Sequence, residues 1–151
     1  METQLSESYK TKYEHYEHSV GVMIFHLEWV TKYRYKMFRK QEYLSIAEAC
    51  IRKSAFEHKI KIIKLSVMPE HVHCVVQVAL TISASKCLQI LKGRSSYLFF
   101  RCHEKARLRY PRGHLWSRGK FASSVGFTDL EVVNRYVENQ IEHHSLGNST
   151  L

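Results

Sequence analysis

The sequence lacks an apolar segment that could cross a membrane. No run of apolar residues comes near the length of about 20 that a spanning helix needs. The chain also starts with polar residues, from Met1 to Gln4, where a secretory signal would carry an apolar stretch. We therefore expect a cytoplasmic protein that has no association with membranes.

Closely spaced cysteine pairs are absent as well. The four cysteines, Cys50, Cys74, Cys87 and Cys102, show no C-x-x-C spacing. They are typical of reduced thiols in a cytosolic protein and do not predict a zinc site. We find no internal repeat, low-complexity segment or linker in the 151 residues. One domain is expected over residues 1–151, with a polar lead-in at 1–18 and a loose tail at 145–151.

Acidic residues are scarce between Lys92 and Lys120. Glu104 is the single acid in this stretch, which holds most of the net charge of +9. The basic residues there are Lys92, Arg94, Arg101, Lys105, Arg107, Arg109, Arg112, Arg118 and Lys120. A second basic cluster runs from Lys32 to Lys40. A solvated charged surface is the simpler interpretation, but the aromatic residues among these cations favour a single-stranded nucleic acid as the partner.

The hydrophobic pattern predicts an α+β fold. Alternating and β-branched segments predict strands, and apolar residues at helical spacing predict helices. In chain order the predicted elements are a strand at 20–31, a helix at 42–58, strands at 60–68 and 71–78, a helix at 83–105, a strand at 116–125 and a last helix from 128 or 129 to about 144. This order indicates an antiparallel sheet with helices on one face, in a ferredoxin-like or RNA-recognition-like sandwich, plus a C-terminal helix that carries Tyr136.

Two histidines, His71 and His73, stand one residue apart on a predicted strand. Residues at i and i+2 of a strand point to the same face, so both imidazoles would lie on the face away from Val72 and its apolar neighbours. Tyr136 and Gln140 are four residues apart on the last predicted helix and share a face there. If that helix crosses that strand, the two imidazoles and the Gln140 amide, which can all bind a metal, would lie close to the phenol oxygen, which can act as a nucleophile. The alternative is that the histidines are a structural pair and the tyrosine is unrelated to them.

Five stretches of the chain resemble, in order and at similar separations, the single-tyrosine HUH transposases of small bacterial and archaeal insertion sequences. The stretches are 26–34 (HLEWVTKYR), 68–76 (MPEHVHCVV), 91–96 (LKGRSS), 116–121 (WSRGKF) and 136–140 (YVENQ). The resemblance covers roughly residues 20 to 142. It includes relatives of the REP-associated type.

The resemblance implies a transposase that cleaves and rejoins single-stranded insertion-sequence ends at hairpins. Tyr136 would be the nucleophile and would form a 5′-phosphotyrosine, while His71, His73 and Gln140 would hold the metal. Two imidazoles and an amide oxygen make a neutral, incomplete shell, which suits Mg²⁺ or Mn²⁺. The family also implies hairpin DNA as the partner and a homodimer whose active sites could combine the histidines of one subunit with the tyrosine helix of the other. Gly126, just before that helix, is either a hinge or an ordinary turn glycine. Because the phosphotyrosine conserves the bond energy, no nucleotide cofactor is expected.

The basic residues then have a predicted task, which is to contact the phosphates of the folded single strand. The candidates are Lys32, Arg34, Lys92, Arg94, Arg101, Arg107, Arg109, Arg112, Arg118 and Lys120. Glu70 is a poor candidate for a metal ligand, because it falls on the opposite strand parity to His71, unless the turn before the strand re-aims its side chain.

Three alternatives remain open from the sequence. One is a non-catalytic domain that binds single-stranded nucleic acid, with the histidines merely lining the sheet. Another is a related HUH nuclease, either a replication initiator or a domesticated transposase that processes chromosomal repeats. A metallohydrolase without a covalent intermediate is disfavoured, because the carboxylates of a two-metal site are not apparent.

Overall fold

The structure is a computed structural model that describes residues 15–16, 19–126 and 134–139. Its centre is a four-stranded antiparallel sheet in the order β4-β5-β3-β6. The strands are β3 (Met23–Thr31), β4 (Lys61–Val67), β5 (His71–Val78) and β6 (Trp116–Ser124). Two short strands, β1 (His15–Tyr16) and β2 (Ser19–Val20), pair with each other ahead of the sheet.

Two helices pack on one face of this sheet. Helix α1 spans Gln41–Glu57 and α2 spans Ala84–Cys102. Helix α2 begins where Ser83 caps it, since the Ser83 hydroxyl accepts a hydrogen bond from the backbone N–H of Lys86 at 3.1 Å. It ends three residues before the predicted end at 105, and a 3₁₀ turn (Glu104–Leu108) follows. The predicted α+β sandwich is confirmed, and none of the described helices is long and apolar enough to span a bilayer.

The alternation of side chains along β5 separates a packed face from an open one. Val72, Cys74, Val76 and Val78 are fully buried against the helices, as the parity predicts. Strand β3 obeys the same rule, because Leu27 and Trp29 enter the helix-side core while Ile24 joins a second cluster on the opposite face. The open face therefore receives the polar residues of both central strands.

A short helix lies on the open face. The described part of the last predicted helix is residues 134–139, named α3 here, and the rest of its predicted span lies outside the described residues. Val137 of α3 is fully buried against Ile24 and Val75. Glu138 forms an ion pair with Lys64 of β4. These contacts seat α3 across the strands that carry the histidines.

Candidate functional site

The two histidines of β5 lie side by side on the open face, as the sequence predicts. Their ring centroids are 4.9 Å apart and the rings meet edge to face. Strand β5 pairs with β4 on one side and β3 on the other, so its backbone is held along both edges. The imidazoles consequently project from one of the two central strands of the sheet, where their separation is fixed.

Strand β3 adds His26 and Glu28 to this pair, and the sequence analysis missed both as site residues. Glu28 lies directly opposite His73 in the strand register. Its Oε1 atom is 2.6 Å from Nδ1 of His73 and 3.5 Å from Nε2 of His26. One ligand atom from each of these three residues falls within 4.8 Å of the others. The signal that could have found them is the i, i+2 spacing of His26 and Glu28 on a predicted strand.

The structure places the carboxylate of Glu70 beside His71, where Nδ1 of His71 donates a hydrogen bond to Glu70 Oε1 at 2.9 Å. Glu70 belongs to the turn before β5, which begins at His71, so the turn re-aims its side chain and strand alternation does not govern it. A carboxylate on one ring nitrogen of a histidine fixes the tautomer and leaves the lone pair on the other nitrogen, as in many metal sites.

The predicted nucleophile lies next to these imidazoles within the same chain. The ring of Tyr136 on α3 is 6.0 Å from that of His73 and 6.3 Å from that of His26, measured between centroids. Its side chain is 48% exposed, so a substrate can reach the phenol. Gln140, the predicted third ligand, lies outside the described residues.

The histidines, both glutamates and Tyr136 border one cavity of about 550 Å³. Two of the predicted DNA-binding cations, Arg34 and Lys120, line it as well. Phe121 closes one side, with its ring 5.8 Å from that of His26. Imidazoles, carboxylates, a phenol and two cations therefore share one solvent-open space, called the histidine cavity below.

The electrostatics of the site suit a divalent cation. Burial lowers the pKa of His26 and of His73 against the opposing charge of Glu28, which favours the neutral imidazoles that bind metals. Nε2 of His26 is buried without a hydrogen-bond partner in the described part of the chain, 3.5 Å from the Glu28 carboxylate. A buried nitrogen without a partner beside a carboxylate fits a metal ion. Gln140 of the expected neutral shell lies outside the described residues, and Glu28 and Glu70 add carboxylates beside its two histidines.

The remaining predicted DNA-binding cations divide by position. Lys92, Arg101, Arg107 and Arg118 line a groove of about 740 Å³ between α2 and residues 113–118. Lys32 and Arg112, again with Arg118, line a smaller adjoining cavity of about 220 Å³. Arg94 is paired with Glu57 at 2.9 Å, and Arg109 lies over the ring of Tyr35. Arg94 also lies over the exposed ring of Tyr97, so all of these cations border a cavity or an exposed aromatic ring.

Comparison with known proteins shows similarity to transposases over most of the chain. A family model described as "Transposase IS200 like" matches residues 19–140. The transposase for insertion sequence element IS200 from Salmonella typhimurium is 22% identical over 123 residues, which are 82% of this chain and 80% of that protein. The ISDra2 transposase TnpA from Deinococcus radiodurans is 24% identical over 116 residues, 77% of this chain and 82% of that protein.

Two solved structures share the fold. A transposase crystal structure from Deinococcus radiodurans superposes with a TM-score of 0.65 at 23% identity and covers 84% of this chain and 97% of its own. A REP-associated tyrosine transposase bound to a REP hairpin gives a TM-score of 0.55 at 17% identity, over 87% of this chain and 73% of its own.

Proposed function

The chain belongs to the IS200-like transposase family, as the resemblance of its motifs predicts, and from that premise we propose that it cleaves and rejoins single-stranded DNA at hairpins marking the ends of an insertion sequence. The observation that carries the proposal is the position of Tyr136 beside His73 and His26, in a cavity open to solvent. A domain that only binds DNA would not require a phenol beside buried imidazoles.

Tyr136 is the nucleophile in this reaction. Its phenolic oxygen forms a bond to phosphorus, the bond from phosphorus to the 3′ oxygen breaks, and the proton lost by the phenol is matched by the one the 3′ oxygen gains. The products are a 5′-phosphotyrosine and a free 3′-hydroxyl. Attack by a 3′-hydroxyl on the phosphotyrosine reverses these bond changes and joins a strand. Because the phosphoester bond is exchanged, neither direction needs ATP.

His71 and His73, with Gln140, are proposed to hold a divalent ion, either Mg²⁺ or Mn²⁺. When bound, such an ion polarises the scissile phosphate and neutralises part of its negative charge. Glu28 and Glu70 orient the two histidines through their Nδ1 atoms, at 2.6 Å and 2.9 Å. His26 lies 5.8 Å from His73, with the rings stacked, and adds a fourth neutral donor at the same place.

Arg34 and Lys120 are proposed to receive the phosphate. Both line the histidine cavity with Tyr136, and both supply a positive charge there. Cations at the rim of a cavity raise the local concentration of a polyanion and hold its phosphate near the nucleophile. The proposed DNA path continues from this rim onto the groove lined by Lys92, Arg101, Arg107 and Arg118.

The proposed partner is a DNA hairpin, and the proposed assembly is a homodimer. A solved structural neighbour is a tyrosine transposase bound to a REP hairpin, which supports a folded single strand as the ligand. A protein with one nucleophile per chain needs two sites to exchange two element ends, and a homodimer supplies them.

The experiment that tests the function is a denaturing gel of the purified protein with end-labelled hairpin DNA from its own element and Mn²⁺. We expect a labelled band that resists SDS in the wild type and is absent in Tyr136→Phe, because phenylalanine has no oxygen to attack. His71→Ala should also lose the band. Tyr43→Phe is the matched control, since Tyr43 lies on α1 and lines neither the histidine cavity nor the groove.

The result with the Tyr136 variant decides between the candidates. A covalent band that persists in Tyr136→Phe would refute the assignment of the nucleophile. Tight hairpin binding without a covalent band, in either Mg²⁺ or Mn²⁺, would instead support a non-catalytic binding domain.

A second candidate is the processing of chromosomal repeats by a domesticated transposase. The fold shared with a REP-associated tyrosine transposase favours it. The cleavage chemistry of such a protein would be the same, and only the DNA that it recognises would differ. Competition between hairpins from element ends and hairpins from dispersed chromosomal repeats in the covalent assay separates the two, because the natural substrate should form the adduct faster.

A further inference from the structure

The turn that follows β3 has an unusual backbone. Tyr33 and Arg34 both adopt the left-handed region, with φ of 61° and 53°. Two consecutive bulky residues in this region are uncommon, so the surrounding structure must hold them there. The consequence is that neighbouring side chains enter different spaces: Arg34 lines the histidine cavity, and Tyr33 lines the cavity of about 220 Å³ behind it.

The Tyr33 cavity combines aromatic rings with positive charge. Tyr33, Tyr110 and Trp116 supply rings to its wall, and no acidic side chain among the described residues lines it. Its cations are Lys32, Arg112 and Arg118. At about 220 Å³ it is smaller than the roughly 300–1,000 Å³ of pockets for drug-sized ligands, which suits a single ring system better than a longer segment.

One ring of this cavity is exposed and the others are held in place. Tyr33 is 60% exposed, whereas Tyr110 is 1% exposed and Trp116 is buried. Tyr35 packs against both tyrosines, with centroid distances of 5.3 Å to Tyr33 and 5.6 Å to Tyr110. The N–H of Lys32 donates to the carbonyl of Leu115 at 2.8 Å, which fixes the turn to the opposite wall. Tyr33 is thus more than half exposed on a fixed support, with the Nζ of Lys32 over its ring at 5.4 Å.

We propose that the Tyr33 cavity binds one unpaired nucleobase of the DNA, stacked on Tyr33, beside the nucleotide whose phosphate lies in the histidine cavity. This inference rests on the proposed function. Stacking on an aromatic side chain suits any base, because every base has a π face. Lys32, Arg112 and Arg118 pair with the flanking phosphates of that nucleotide. The adjacent positions of Tyr33 and Arg34 set the spacing, so one base is held next to the phosphate that Tyr136 attacks.

The test uses hairpin DNA with unpaired flanks that carry 2-aminopurine at one position at a time, bound to protein with the Tyr136→Phe substitution so that no cleavage occurs. We expect stacking to quench 2-aminopurine at one flank position. Tyr33→Asn removes the ring but keeps a residue that tolerates the left-handed backbone, so it should abolish this quenching and weaken binding about five- to 150-fold. Tyr33→Phe keeps the ring and should preserve both. Phe56→Ala, which removes an exposed ring from the end of α1, is the control that should change neither.

The outcomes separate this inference from the function on which it rests. If wild-type protein forms the covalent adduct while Tyr33→Asn retains both affinity and quenching, the cavity does not bind a base and the proposed function stands. Loss of binding in Tyr33→Phe as well as in Tyr33→Asn would also overturn the inference. It would show that the DNA contacts the hydroxyl of Tyr33 and does not stack on its ring. If the wild type neither binds the hairpin nor forms an adduct, both proposals fail.

Discussion

Glu28 changes the charge at the centre of the site. It lies in contact with His73 and close to His26, so the donors around the predicted metal position carry at least one negative charge at neutral pH. A carboxylate attracts a divalent cation before any DNA phosphate arrives. Metal binding therefore does not have to wait for the substrate.

We expect Glu28→Gln to weaken Mn²⁺ binding to the DNA-free protein by about 10- to 100-fold, the range for partners of ligating histidines. Titration of the protein with Mn²⁺, followed by electron paramagnetic resonance of the free ion, measures this. Glu48→Gln is the control, because Glu48 is an exposed acid of α1 that pairs with Arg52. Equal affinity in Glu28→Gln and the wild type would show that Glu28 does not act on the ion.

We expect the four cysteine thiols to differ in reactivity, because three of them are buried and one is exposed. Burial raises the pKa of Cys50 and Cys74 to about 12 and that of Cys87 to about 11, so their thiolate fraction at neutral pH is very small. Cys102 is exposed. We expect iodoacetamide to modify Cys102 first in the native protein, as read by mass spectrometry of peptides. Modification of Cys74 at the same rate would contradict the burial described here.

At the scale of elements, the alternation of residues along the strands was the feature of the sequence that predicted most about the site. It correctly placed His71 and His73 on one face of β5 and their apolar neighbours on the other, because a period of two leaves no other arrangement. It does not apply to Glu70, which lies in the turn before β5. The contact between His73 and Glu28 depends on the register between β3 and β5, and the approach of Tyr136 to the histidines depends on a long-range contact. The local sequence pattern specifies neither of these. Only the family resemblance predicted that Tyr136 lies with the histidines.

In the described part of α3, Val137 is the residue fully buried against the sheet, so its truncation should loosen α3 without unfolding the main core. We expect Val137→Ala to slow formation of the covalent adduct several-fold, because it removes packing against Ile24 and Val75. The midpoint of thermal unfolding should change little, since the main core lies on the other face. Single-turnover rates and thermal unfolding measure the two effects.

The matched control for this helix is Lys64→Ala. It removes the ion pair with Glu138, and exposed ion pairs contribute little to stability, so the rate should stay near that of the wild type. A Val137→Ala protein that lost its cooperative unfolding transition would show that α3 belongs to the main core instead.

At the scale of the whole molecule, the start of β6 connects the binding surfaces. Trp116 and Arg118 border both the groove and the Tyr33 cavity, and Ser117 borders both the groove and the histidine cavity. The Nζ of Lys92 donates to the carbonyl of Ser117 at 2.7 Å, which ties α2 to this junction. Nucleic acid lying along the groove would therefore reach the nucleophile without crossing the helix-covered face.

The structure also predicts which chain supplies each half of the site. Tyr136 lies beside the histidines of its own chain, so we expect a mixture of Tyr136→Phe protein with a His71→Ala, His73→Ala double variant to form no covalent adduct. The SDS gel with labelled hairpin measures this, with each variant alone as the control. Restored adduct in the mixture would mean that the tyrosine of one subunit acts with the histidines of another.

The alternation along β5 and β3 also determines how this protein can change over evolutionary time. Positions such as Val72 and Cys74 face the helices, while the intervening His71 and His73 face the histidine cavity. Selection for folding and selection for chemistry therefore act on alternate residues of the same strand. A lineage that abandons transposition can lose the second set without losing the first, which leaves an intact scaffold for another nucleic-acid task.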